Sequence, residues 1–223
     1  EIRVTSLNHM FYYCSSLKNL DLSTWNTSNI TNFRAIFNYS GLETLNLSNW
    51  NFSRFNDSDL ANHMGLGKSQ TEAHVKTLIL DNAILPADMS YGISDVDSLT
   101  TLSMRNIDTS NVTNMNAMFL SSTGLTTLNL GSFNTSNVTN MATMFWDLPN
   151  LRTIHVSDTF TTNNVTNGGN MFDGDTSLVG GNGTTYDANH TNVEYARIDT
   201  ANTPGYFTRA TILSNMLGGR IKN

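Results

Sequence analysis

The chain has 223 residues, 12 Lys+Arg against 18 Asp+Glu and a formal net charge of −6, with 13% of residues charged. No basic excess is available to neutralise phosphates, which argues against nucleic acid as a partner, and no run of about 18 apolar residues exists to span a membrane. Asn, Thr and Ser number 31, 30 and 22, yet 39% hydrophobic and 9% aromatic content is too high for a disordered polar tract, so the chain is expected to fold.

Taken in chain order, the apolar pattern repeats. Residues 17–37 read LKNLDLSTWNTSNITNFRAIF, and residues 41–51 begin another copy, GLETLNLSNWN. A degenerate copy opens at Val75 with VKTLILDNA. Residues 99–119, LTTLSMRNIDTSNVTNMNAMF, and residues 125–145, LTTLNLGSFNTSNVTNMATMF, are nearly the same sentence. Residues 151–172 follow with one residue added, and Leu178 opens the last copy. The lead positions 17, 42, 75, 99, 125, 151 and 178 are 25, 33, 24, 26, 26 and 27 apart. The long step places an irregular insertion over residues 53–74, with Gly65, Gly67, Lys68 and Gln70 read as a surface loop.

Each copy has two halves. L-x-x-L-x-L alternates as a short strand with one face buried: Leu128 and Leu130 inward, Thr127 and Asn129 outward. Val112, Met115, Met118 and Phe119 then fall on one stripe of a short helix, with Thr109, Ser110 and Asn111 offering N-cap oxygens. The reading is an α/β fold: a leucine-rich-repeat-type solenoid of about seven repeats of ~26 residues, parallel sheet on one face and short helices on the other. A single copy buries too little to offset a backbone entropy cost of about 1–2 kcal/mol per residue, so copies must stack. Phe11, Phe37, Phe119, Phe145 and Phe172 then form one column, and Trp25, Trp50, Ile107, Phe133 and Phe160 another. Asn29, Asn111, Asn137 and Asn164 share one position and Thr31, Thr113, Thr139 and Thr166 another, as ladders bonding the backbone of their own or the adjacent copy. One domain is expected over residues 1–207, with a partial first repeat at 1–16 and a C-terminal cap at 179–207. Residues 208–223 form a tail or the start of a linker, in which Ile212, Leu213, Met216 and Leu217 suit a short apolar helical face. Cys14 is the single cysteine and is expected to be buried.

The stretches MFYYCSSLKNLDLSTWNTSNITNF and SFNTSNVTNMATMF resemble the BspA-like leucine-rich repeat surface proteins, whose repeat was long called a Mycoplasma-type domain of unknown function. The segment from 177 to 208 resembles the closing element of such arrays in lactobacilli and related Gram-positive bacteria. The resemblance implies an extracellular, cell-surface or cell-wall-attached protein that adheres to host or neighbouring surfaces. It carries no catalytic residues over.

The chemistry-bearing residues fit that expectation. His9, His63, His74, His155 and His190 fall in different copies or at different positions, and no HExxH, GxSxG or CxxC is present, so the chain is expected not to be an enzyme and to need no cofactor. Asp57/Asp59, Asp95/Asp97 and Asp173/Asp175 are D-x-D pairs. Asp173 and Asp175 are the best placed for calcium, but no further ligands follow and a turn is the simpler reading. The outward strand positions Thr44, Asn46, Thr77, Asp81, Thr101, Ser103, Arg105, Thr127, Asn129, Thr153 and His155 form the candidate ligand face, small, polar and nearly uncharged. Such a face suits weak, multivalent contact with a host or bacterial surface glycan or protein by a monomeric module. The alternative is a structural stalk that spaces another domain from the cell wall.

Overall fold

The computed structural model describes residues 3–67 and 74–211. Lys68 and Gln70 of the expected loop, and the expected apolar face at Ile212, Leu213, Met216 and Leu217, lie outside the described residues. The fold is α/β with parallel sheets and few helices. Among the described residues there are seven short strands: β1 (Asn19–Asp21), β2 (Thr44–Asn46), β3 (Thr77–Ile79), β4 (Thr101–Ser103), β5 (Thr127–Leu130), β6 (Thr153–Val156) and β7 (Phe207–Arg209). The α-helix α1 (Leu60–Met64) sits in the irregular insertion, and a 3-10 turn spans Val193–Tyr195.

Within each sheet, neighbouring strands pair in parallel, position for position. Thr44 lies beside Thr77, Thr77 beside Thr101, and Thr127 beside Thr153. Alternation explains the register. Leu45, Leu78, Leu128 and Ile154 are buried, and a one-residue slip would turn each of them outward. The continuous sheet expected from the repeat is nonetheless divided, with β1–β4 in one sheet and β5–β7 in another. At the division a side chain carries the hydrogen bonding: Ser132 Oγ accepts from the Ile107 N–H at 3.1 Å and donates to the Met104 carbonyl at 3.2 Å.

The second half of each copy differs from expectation. Over residues 112–119, Asn114 bridges Asp88 and Asn140 in parallel and residues 116–119 form tight turns, not a helix. The N–H groups of Met118, Leu120 and Ser122 close turns onto the carbonyls of Met115, Ala117 and Phe119, while those of Met115, Ala117, Phe119 and Ser121 reach Asn140, Ala142, Met144 and Trp146 of the next copy. A helix would keep these bonds within itself. The turn strip requires a left-handed residue at intervals, and Ala35, Asp59, Tyr91, Ala117, Thr143 and Asn170 supply it, with φ from 52° to 60°. Each costs about 1–2 kcal/mol, offset by inter-copy bonds each worth about 0.5–1.5 kcal/mol net. Thr109, expected as a cap, instead bridges copies: its hydroxyl donates to the Asn134 carbonyl and accepts the Asn134 N–H, both at 2.8 Å.

The Asn, Thr and Ser excess has two structural uses. Asn26, Asn51, Asp108 and Asn134 each accept the N–H two residues on, closing a corner. Thr31, Thr113, Thr139 and Thr166 donate their hydroxyls to a carbonyl of the preceding copy. Between the strands and the turn strip lies one apolar core. Phe119, Phe145 and Phe172 stack in it at 5.7 and 5.4 Å, with interplanar angles of 8° and 10°. Trp25 stacks on Trp50 at 6.5 Å.

The two ends differ. Phe11, Leu17, Leu20 and Trp25 are only partly buried, and Cys14, expected inside, is half-buried, because among the described residues no copy covers the N-terminal side of the first. At the other end the copy expected at Leu178 makes no strand of its own. Val179 pairs antiparallel with Thr185 around Gly183 (φ 93°), and the strand position beside β6 is taken by β7 from farther along the chain. Asp199 holds this element closed. Its buried carboxylate accepts the N–H groups of Asn182, Thr184 and Gly205 and the Thr184 hydroxyl.

Candidate functional site

The strand face is built as the register demands, with Thr101 and Thr127 exposed and Thr44, Asn46, Thr77, Asn129 and Thr153 half-buried. Two of its expected members are not available at the surface. Asp81 and Ser103 are 8% and 6% exposed. Ser103 Oγ donates to Asp81 Oδ1 at 2.6 Å, and the Arg105 guanidinium grips Asp81 Oδ2 through two nitrogens at 3.1 and 2.9 Å. A carboxylate carrying these bonds is drawn inward by its partners. Arg105 is held by the same network. It lines, with Asn129 and Ser132, a notch of about 340 Å³ at the division between the sheets. His155 holds its outward register position beside Asn129 and is half-buried there. Burial holds its pKa below the ordinary imidazole value, and its Nδ1 is buried with no hydrogen-bond partner.

Asp173 and Asp175 do not converge on a metal. Asp173 is exposed, whereas Asp175 is fully buried, and among the described residues no group of three acidic, His or Cys side chains could hold an ion. Asp175 Oδ1 accepts the Leu148 N–H at 2.9 Å and Oδ2 has no partner. Burial drives its pKa well up, and the charges of Asp147 and Asp173 add to this, against the Leu148 bond. Ser122 holds the corresponding place one pair of copies earlier, accepting from Val96 N–H at 3.1 Å and donating to the Ile93 carbonyl at 2.6 Å. A group protonated in the native state above its unfolded pKa loses stability as pH rises. Asp175→Ser is therefore expected to raise stability at pH 7 by about 1–3 kcal/mol and to flatten its decline above about pH 4, read from thermal melts across pH.

A second arrangement joins His63 and the Asp57/Asp59 pair, which the sequence pattern leaves unconnected. The irregular third copy brings them together with Arg34 of the copy before, around a cleft of about 410 Å³ lined also by Ser58 and Asn62. Asp59 takes the left-handed position (φ 60°) before α1, and Gly65 (φ 90°) ends the helix, its N–H returning to Asn62. A Cβ at Gly65 would fall 1.7 Å from Asn38 Oδ1, so only glycine lets the two copies approach here. Asn62 Nδ2 donates to Asp59 Oδ1 at 2.5 Å. His63 Nδ1 stands 3.9 Å from Asp57 Oδ2, and its ring packs edge-on against Phe55. Burial raises the Asp59 pKa, opposed by the Asn62 bond and reinforced by Asp95. Burial likewise lowers that of His63, against the raising effect of Asp57. Asn62 Oδ1 and His63 Nε2 are buried without hydrogen-bond partners.

The short parallel strands and the polar corners that join them define an α/β protein with parallel sheets and few helices. Residues 2–65 and 87–203 match the family described as "Mycoplasma protein of unknown function" (DUF285), and the chain belongs to that family. No curated protein and no solved structure matches it. No described helix is long and apolar enough to cross a membrane.

Proposed function

We propose that the chain is a BspA-like, leucine-rich-repeat-type solenoid that acts as a non-enzymatic adhesion module on the outside of a bacterial cell, binding glycans or proteins of a host or neighbouring surface. The observation that carries this reading is the in-register row of small polar side chains on the strands: Asn19, Thr44, Thr77 and Thr101 in one sheet, Thr127 and Thr153 in the other. Identical groups one strand apart present the same hydrogen-bonding unit repeatedly, which suits a repetitive ligand held by many weak contacts. The row carries no charge, and Asp81 and Arg105 beside it neutralise each other.

A glycan and glycoprotein array probed with the intact chain tests the reading. Binding is expected, and Thr101→Asp with Thr127→Asp is expected to weaken it about tenfold or more, since each places a charge against a neutral face. Both positions are exposed, so the fold should persist. No binding above background, or binding indifferent to both changes, counts against the face.

A further inference from the structure

We propose that the cleft of the irregular third copy, with the tyrosines that adjoin it, is a carbohydrate site taking a neutral hexose unit. The inference deepens the adhesion reading and rests on it only for the setting in which the sugar is met. The cleft's ~410 Å³ lies within the span of small-molecule sites. Its chemistry is that of hydroxyl recognition. Asp57 and Asp59 accept and Arg34 donates, and a sugar hydroxyl, donor and acceptor at once, can pair with either kind of group.

A second observation is independent of the cleft. Tyr12 and Tyr13 are 39% and 63% exposed. Tyr13 stacks on Tyr39 at 4.6 Å and 10°, and Tyr12 stands edge-on to both at 4.7 and 5.6 Å. This platform adjoins the cleft through Asn38, which lines the cleft, precedes Tyr39 and accepts the Tyr13 N–H through its carbonyl. Solvent-facing tyrosines offer an apolar ring and a polar tip together, matching the C–H face and hydroxyl rim of a pyranose. Charge narrows the class. Two carboxylates face one guanidinium, with Asp95 acting on Asp59 from the next copy, so acidic sugars are repelled. The 33-residue step that opens the cleft is the one departure from the regular spacing before the C-terminal element, and irregular insertions on a rigid frame are where binding residues concentrate.

The test is saturation-transfer NMR and titration of the full chain with the methyl glycosides of glucose, galactose and mannose, with N-acetylneuraminic acid as the acidic comparison. At least one neutral hexoside is expected to bind, with affinity falling about tenfold or more in Asp57→Asn and in Tyr13→Ala. Trp146→Ala, an exposed aromatic on the same strip of turns in a later copy, is expected to leave it unchanged. Asp57 and Tyr13 are surface residues, so unchanged melting temperatures will separate lost binding from lost fold. The proposal is overturned if no neutral hexoside binds, if binding ignores both substitutions, or if the acidic sugar is preferred. Hexoside binding without surface attachment would overturn the adhesion reading alone. Attachment that depends on Thr101 and Thr127 but not on Asp57 or Tyr13, with no hexoside bound, would overturn this inference alone.

Discussion

Phe145→Ala is expected to cost about 3–5 kcal/mol and to lower the melting temperature by roughly 2–4 °C for each of those kcal/mol. Phe145 is fully buried. It touches both neighbouring copies and the C-terminal element at once, with Phe119 at 5.7 Å, Phe172 at 5.4 Å and Phe207 edge-on at 6.2 Å. Its removal leaves a cavity beside Phe172 and Phe207, which stay packed on each other and on Tyr206 and Phe160 and so resist collapse into it. Phe11→Ala, at the partly buried end of the equivalent column, should cost clearly less. Urea unfolding of both variants checks the comparison, and equal losses would mean that copy-to-copy stacking is not what holds Phe145.

Asp199→Ala is the second large effect, at about 3–5 kcal/mol. Three backbone N–H groups and one hydroxyl lose their acceptor. Bonds to a charged group contribute about 1.5–3 kcal/mol each, but they are not additive and the freed groups near the surface regain water. Burial alone would raise the Asp199 pKa, yet the bonds from Thr184, Asn182 and Gly205 outweigh it and hold the carboxyl below its ordinary value. A depressed native pKa contributes stability that is present above the unfolded value and is lost as pH falls through the native one. Wild-type protein should therefore lose this contribution below about pH 4, and Asp199→Asn should melt with less dependence on pH in that acid range. Hydrogen exchange at Asn182, Thr184 and Gly205 should accelerate first in Asp199→Ala. Protection unchanged at those amides would show that β7 and Tyr206 hold the element without the carboxylate.

Strand positions were legible because alternation has one buried solution. Leu45, Leu78 and Leu128 could face only inward, and their neighbours Thr44, Thr77 and Thr127 followed. The turn strip was not legible, because Val112, Met115, Met118 and Phe119 satisfy two geometries. A helix brings residues three apart onto one face, and so does a succession of turns. The deciding feature, a left-handed Ala117, carries no signal in an alanine. The division of the sheets has no plain signal, because Ser132, where the three copies before it carry Asn49, Asn82 and Asn106, reads as one more polar corner residue. Asp81 read as exposed because its partner Arg105 lies 24 residues away. The cleft was hidden for the same reason. Asp57, Asp59 and His63 are close in sequence, but Arg34 arrives from another copy, and only the left-handed turn at Asp59 and the short helix after it bring them round one space.

The left-handed residues at Ala35, Tyr91, Ala117 and Thr143 also set the shape of the strip that contains them. A right-handed turn followed by a single residue of opposite hand cancels the winding that consecutive helical residues would accumulate. The result is a flat ribbon instead of a cylinder. A cylinder meets its neighbour along one line of side chains. A ribbon has two edges, one presenting amide hydrogens and the other presenting oxygens, so each copy is polar in the sense of a building block that joins its neighbours in one order only.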